Sequence, residues 1–258
     1  MNMKIIFFQF VLFCMGINAV IAQNARDIME KASKTVEYDA IEMAMTLKIY
    51  DAKGSERIRQ ISTVSKKFNM TSKTMMKFIA PADVKGTAIL VYDHENTSDD
   101  MWIYMPALRK TRRIVSSERG KNFMGSEFTN ADMSKPSLDD FNYRLLGTES
   151  VNGVNCWKIE AVCRDRNIED EYGFSKKIAF IGQGNYLCYK VEFYDLEGNK
   201  AKTQTIGQYK KQNDGKYIAS YMEMKNEQNG RRSVIQIDNF RLGSNLAEST
   251  FVPSMLER

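Results

Sequence analysis

The stretch 101–128, MWIYMPALRKTRRIVSSERGKNFMGSEF, sets three kinds of chemistry side by side. A strand-like run carries Trp102, Tyr104 and Met105, and Pro106 turns it. Arg109, Lys110, Arg112 and Arg113 then crowd into five positions, and a segment bearing Gly120 and Gly125 still holds Phe123, Met124 and Phe128. Alternation of period two marks a half-buried strand. A basic strand whose cations project to both sides reads either as an edge guarded by charge or as a face for an anionic partner. From 116 to 137 the alternation stops, and a connection that long between strands of a compact domain is functional or mobile.

Working outward, period two dominates the chain. Ile41, Met43, Met45, Leu47 and Ile49 alternate with Glu42, Thr46 and Lys48. Further strands are expected near 56–66, 73–79, 86–92, 100–105, 109–115, 141–149, 154–163, 175–181, 186–194, 200–210, 216–225 and 231–240. Between them sit hairpin sequences such as Asn152-Gly153, Asn213-Asp-Gly215 and Asn229-Gly230, which suit turns needing positive φ. Only 24–36 has helical spacing: Asn24 is a plausible cap, and Ile28, Met29, Ala32 and Val36 form one stripe. The expected class is mainly β, an antiparallel meander in one domain over 23–258. Its apolar face needs a cover, either the sheet itself closed into a barrel or helices laid across an open, curved sheet.

Residues 1–22 read as a secretory signal, with Lys4 before an apolar run and Val20-Ile21-Ala22 ahead of a cut at Gln23. Phe13 is too large for a lipoprotein box at Cys14. Export places the protein in a periplasm and disfavours nucleic acid as the partner of a chain with net charge +5. Beyond the leader, Cys156, Cys163 and Cys188 are too few for a disulfide framework. Alternation puts Cys156 and Cys188 on one polar face, so that pair stays open beside the simpler reading of free thiols.

Catalytic candidates are sparse. The single histidine, His94, lies in a turn among acids, with no second histidine for a metal site and no serine elbow for a triad. Paired acids such as Asp139 and Asp140 read as solvated turn charges. No cofactor and no metal are expected. Sixteen methionines are more suggestive, because unbranched Met side chains suit a surface that accepts varied apolar partners.

The order WIYMPALRKTRRI followed by FMGSEFTNADM resembles the outer-membrane lipoprotein-sorting (LolA-like) family. The match is carried by Trp102, Tyr104, Pro106, Arg109, Arg112, Arg113, Phe123, Met124, Gly125, Ser126 and Phe128. The resemblance implies an unclosed, curved antiparallel β-barrel with helices across its concavity, and a carrier of lipidic or lipid-modified cargo with no catalytic residue. Within such a fold, Met43, Met45, Leu47, Ile49, Trp102, Tyr104, Trp157 and Ile159 are expected to line the cavity. Should Trp102 face outward, Ile103 and Met105 take its place. Phe123, Met124 and Phe128 are expected to plug the empty cavity, with Gly120 and Gly125 permitting the swing. Arg109, Lys110, Arg112 and Arg113 would meet headgroups or a donor protein. Expected partners are acyl chains of a lipid or lipoprotein, with inner-membrane donor and outer-membrane acceptor proteins, for a monomeric carrier. The alternative is a non-catalytic envelope scaffold that docks proteins on the curved sheet.

Overall fold

The computed structural model describes residues 24–95 and 97–258, so the expected signal over 1–22, with Cys14, lies outside the described residues. Residues 24–35 form helix α1, which ends one residue short of the expected stripe. Six strands follow: β1 (Ala40–Tyr50), β2 (Glu56–Phe68), β3 (Thr71–Ala80), β4 (Ala88–His94), β5 (Asp100–Met105) and β6 (Lys110–Arg113). Seven more come after the long connection: β7 (Phe141–Val151), β8 (Val154–Cys163), β9 (Lys176–Gly182), β10 (Cys188–Tyr194), β11 (Lys200–Lys211), β12 (Tyr217–Asn226) and β13 (Arg232–Leu242).

All thirteen belong to one antiparallel sheet ordered β6-β5-β4-β3-β2-β1-β13-β12-β11-β10-β9-β8-β7. Each half is a meander, and β13 returns to pair with β1, so among the described residues the unpaired edges are β6 and β7. The barrel is not closed there, and the connection between the two edges is the segment singled out in the sequence. Hairpin chemistry explains the meander locally. Asn152 and Gly153, at φ 50° and 82°, make the turn between β7 and β8.

One face of the sheet collects side chains from both distant edges into a single core. Met101, Ile103 and Ile114 from the β6 side join Phe141, Tyr143, Ile159 and Ala161 from the β7 side, with Leu47 and Ile49 of the central β1 among them. Helix α1 buries Ala25, Ile28 and Ala32 in the same cluster. The two edges also meet through Arg119, whose guanidinium reaches Asp99 beside β5 at 2.7 Å and Glu171 behind β8 at 2.8 Å. That is the curvature expected of a strongly coiled sheet, with the core on its concave side.

The convex face has its own cover. The C-terminal segment forms short 3-10 turns at Glu248–Phe251 and Pro253–Met255, and buries Phe251 and Leu256 against Met75, Ala88 and Leu90. Tyr92 donates its hydroxyl to the Phe251 carbonyl.

Two short helices were not resolved by periodicity. Helix α2 (Ser116–Arg119) lies in the connection, and α3 (Arg166–Tyr172) follows β8. Helix α3 is capped by Asp165, which accepts from the amides of Asn167 and Ile168 at 2.9 and 3.2 Å. The expected strand 109–115 shortens to β6 because Arg109, at φ 47°, closes a 3-10 turn over Pro106–Leu108. Among the described residues no helix is long and apolar enough to cross a membrane.

Candidate functional site: the concave face beneath the connecting segment

The connection opens with α2 and then turns tightly. The Phe123 amide donates to the Phe128 carbonyl at 2.8 Å, a bridge pairs Asn122 with Thr129, and Met124 holds a left-handed φ of 49°. This hairpin drives Phe123 and Phe128 into the concave core, each only 1% exposed. Phe123 packs against Phe78 of β3 with ring centroids 6.1 Å apart. Helix α1 lies beside it, held by ion pairs from Arg26 to Asp139 and from Glu37 to Lys135, the latter at 3.0 Å.

Two buried polar clamps hold the segment down. In the first, Arg119, 4% exposed, bonds Asp99, Glu171 and Ser134. In the second, the buried carboxylate of Glu127 accepts from the Asn226 amide at 2.9 Å and pairs with the Arg231 guanidinium at 3.0 Å. The Glu127 backbone joins in: its N–H donates to Ser233 Oγ at 3.0 Å, and its carbonyl accepts from Lys202 Nζ at 2.6 Å. Each clamp pairs charges that burial alone would penalise, although among the described residues Arg119 Nε, Glu127 Oε1 and Arg231 Nε are left without a hydrogen bond.

Beneath the segment the packing is incomplete. Met29, Met45, Met105, Met124, Met133 and Met222 border the concave core, yet each keeps accessible surface. Lys177 and Cys188 are crowded enough by protein for burial to dominate their chemistry yet keep some accessible surface, and Asp132, crowded in the same way, is exposed. Together these partly accessible groups mark the concave face beneath the segment as a candidate binding space. Burial pushes the Lys177 ammonium below its ordinary pKa, with Asp132 opposing the shift. It raises the Asp132 carboxyl, and it pushes the Cys188 thiol up to about 12.

The residues expected to line this space divide. Met45, Leu47, Ile49, Trp157 and Ile159 are on the concave face, although Leu47, Ile49 and Ile159 are completely covered by neighbours. Met43 sits at one end, in a small cluster with Ile41, Ile218 and Ile237. Trp102 and Tyr104 are a correction. They project to the convex face and pack beneath the C-terminal segment, because pairing of Leu90 with Trp102 and Ile89 with Ile103 fixes the parity of β5. Ile103 and Met105 take the concave positions.

The hinge expected at Gly120 is also corrected. A Cβ there would lie 2.8 Å from the Gly173 amide nitrogen and 2.9 Å from Gly173 Cα, so this glycine lets α2 and α3 touch backbone to backbone. Gly125, at φ 75° with no neighbour near its Cβ position, is a conformational glycine.

The basic strand also divides. Arg112 pairs with Glu118 at 2.7 Å and Arg113 with Asp100. Arg109 and Lys110 are exposed on the edge beside Leu108, which is 64% exposed. Cys156, Cys163 and Cys188 are free thiols. The irregularity in β10 between Cys188 and Lys190 shifts register, so Cys188 joins the concave core while Cys156 packs on the other face. A Cys156–Cys188 pair is therefore not formed. His94 caps a strand end, its Nδ1 2.9 Å from Thr71 Oγ1. Among the described residues no three His, Cys, Asp or Glu side chains gather as metal ligands.

Sequence reasoning missed Lys177, Lys202, Asp132, Glu127 and Arg119. The signal for the lysines was present: Lys177 alternates with Ala179 and Ile181, and Lys202 with Gln204 and Ile206, which puts both cations on an inward face.

A protein-family model described as "Uncharacterized protein" matches residues 70–258. An outer membrane lipoprotein-sorting protein domain from Vibrio parahaemolyticus superposes with a TM-score of 0.85 at 29% identity, over 92% of this chain and 100% of that one. A DUF1329 family protein from Desulfovibrio piger gives 0.85 at 25% identity, over 92% and 99%. A LolA superfamily protein from Nitrosomonas europaea gives 0.69 at 23% identity, over 88% and 97%. No curated protein matches the sequence.

Proposed function

We propose, for a chain that belongs to the family matched over residues 70–258 and shares its fold with lipoprotein-sorting and LolA superfamily proteins, that it is a non-catalytic periplasmic carrier of acyl chains. It shelters the chains of a lipid or lipoprotein on the concave face and moves them toward the outer membrane. The observation that carries this reading is the concave face bordered by half-buried methionines under a segment that is clamped rather than woven into the sheet.

The physics suits exchange. Each methylene taken from water contributes ~0.8 kcal/mol, so sheltering about ten contributes ~8 kcal/mol. A fully packed core would resist entry. Here Phe123, Met124 and Phe128 already occupy part of the space, so an incoming chain replaces one set of apolar contacts with another. The net change is then set by the difference between chain and plug. Arg109, Lys110 and Leu108 are exposed on the β6 edge, and in this reading they would meet headgroups or a donor protein.

The test is native mass spectrometry of protein isolated from its own periplasm, with lipid extraction, beside the double variant Phe123→Ser and Met124→Ser. Co-purified acyl species, with probe affinity altered in the variant, support the carrier. The competing scaffold reading draws on the depth to which Phe123 and Phe128 fill the concavity, and it expects no lipid in extracts and no probe binding by either protein.

A further inference from the structure

Antiparallel pairing places a row of residues across the concave face. Lys202 of β11 pairs with Phe193 of β10, which pairs with Lys177 of β9, which pairs with Ala161 of β8. Two lysines on the same face, two strands apart, stand roughly 10 Å from each other. Their setting is unlike that of any surface lysine. Lys177 Nζ lies 4.4 Å from the Phe141 ring centroid and 5.7 Å from that of Phe174. Among the described residues it has no hydrogen-bond or salt-bridge partner. Lys202 Nζ reaches only a backbone carbonyl, that of Glu127 on the connecting segment.

The opposite charge comes from that same segment. Asp132 opposes burial more than any other group at both Lys177 and Lys202. It sits in a 3-10 turn (Ala131–Met133), its Oδ2 held by Thr129 N and Thr129 Oγ1 at 2.7 and 3.0 Å. Flanking it, Phe128 and Ala131 are buried in the core and Met133 packs against it. The segment thus offers the concave face an apolar body and one carboxylate whose charge acts on both lysines.

That is the outline of an anionic single-chain amphiphile. We infer that the connecting segment is an internal mimic of the cargo, and that Lys177 and Lys202 receive the oxyanion head of an acyl ligand when Phe128, Asp132 and Met133 withdraw. The inference deepens the carrier reading and rests on it. It narrows the cargo to an acyl chain whose head is a carboxylate or a phosphate monoester, the two groups that a pair of ammoniums recognises alike. A neutral head would leave both cations facing apolar walls once Asp132 departs, which is the costly arrangement.

The test compares a fluorescent polyene fatty acid with its methyl ester at pH 8, on the full protein. The wild type is expected to bind the acid about tenfold tighter than the ester, the scale of one charge-assisted hydrogen bond. Lys177→Gln should erase most of that preference and leave ester affinity unchanged, and Lys202→Gln should erase it too while also loosening the contact with Glu127. Thermal melts check that each variant folds, and Lys177→Gln, whose ammonium holds no hydrogen bond among the described residues, is the cleaner of the two. Asp132→Asn removes the competing carboxylate and should tighten acid binding several-fold without affecting the ester. Displacement of the probe by palmitate against hexadecyl phosphate then identifies the head, the tighter competitor naming it. Equal binding of acid and ester by the wild type, or a preference that survives in the double lysine variant, overturns the inference while the carrier stands. Failure of both probes to bind overturns the carrier reading itself.

Discussion

Asp93, at the end of β4, accepts the amide of Lys135 at 2.9 Å and so ties down the far end of the connecting segment. Burial, with Asp99 nearby, raises its carboxyl from 3.8 to about 6 despite that bond. A carboxyl whose pKa is higher in the folded state binds its proton more tightly there than in the unfolded chain. Stability is therefore lost as pH rises from about 4 to about 6, and below that window the group contributes nothing. Asp93→Asn keeps an acceptor for the amide and removes the buried charge. Urea unfolding should show no gain for this variant near pH 3.5 and a gain of about 2–3 kcal/mol above pH 6.5. A flat difference across that range would refute the assignment. Glu127 is a second buried carboxylate, this one with side-chain partners arranged around it. Glu127→Ala strands the Arg231 guanidinium and the Asn226 amide, and an unfolding free energy lower by about 2–3 kcal/mol is expected. Amide exchange should also quicken over residues 122–130, where the plug would be released.

The connecting segment behaves as an element whose two glycines have different work. At Gly120 an alanine Cβ would press on the Gly173 backbone and, at 3.2 Å, on the Asp170 carbonyl, so α2 and α3 would have to separate. Gly120→Ala should lower stability by about 1–3 kcal/mol, the usual range for overpacking a fixed contact. Gly125→Ala meets no neighbour and carries only the strain of its left-handed φ, about 1 kcal/mol. Parallel thermal melts decide this, and equal losses at the two sites would contradict the contact. The pair also shows what a sequence can convey. Alternation and Asn-Gly turns located the strands, since those signals are local. The same alternation put Leu47, Ile49, Trp157 and Ile159 inward. It could not say which face of β5 was inward, because Trp102-Ile-Tyr104-Met alternates two sets of large residues and only pairing with β4 breaks the tie. Cys188 was misplaced by a register shift that no periodicity announces. Gly120 looked like a hinge because its neighbour, Gly173, is distant in sequence.

For the whole molecule, the curved sheet separates two apolar compartments. The convex one is closed by the C-terminal segment over Trp102, and the concave one borders Trp157. These are the only two tryptophans, one on each side. Trp157 packs tilted against Tyr186 with centroids 5.3 Å apart, Tyr186 itself lying under Lys31 of α1, whereas Trp102 meets Tyr92 edge-on at 5.0 Å. If acyl chains enter only beneath the 116–137 segment, a brominated fatty acid should quench the Trp102→Phe protein, which retains Trp157, and leave the Trp157→Phe protein unaffected. Truncation after Ser244 should do the reverse. It uncovers Met75, Leu90 and Trp102, shifting the emission of the Trp157→Phe protein to the red, while the concave reporter keeps its spectrum until global unfolding. Quenching of Trp102 by ligand would place the binding surface under the C-terminal segment. The connecting segment would then be a structural clamp rather than a gate.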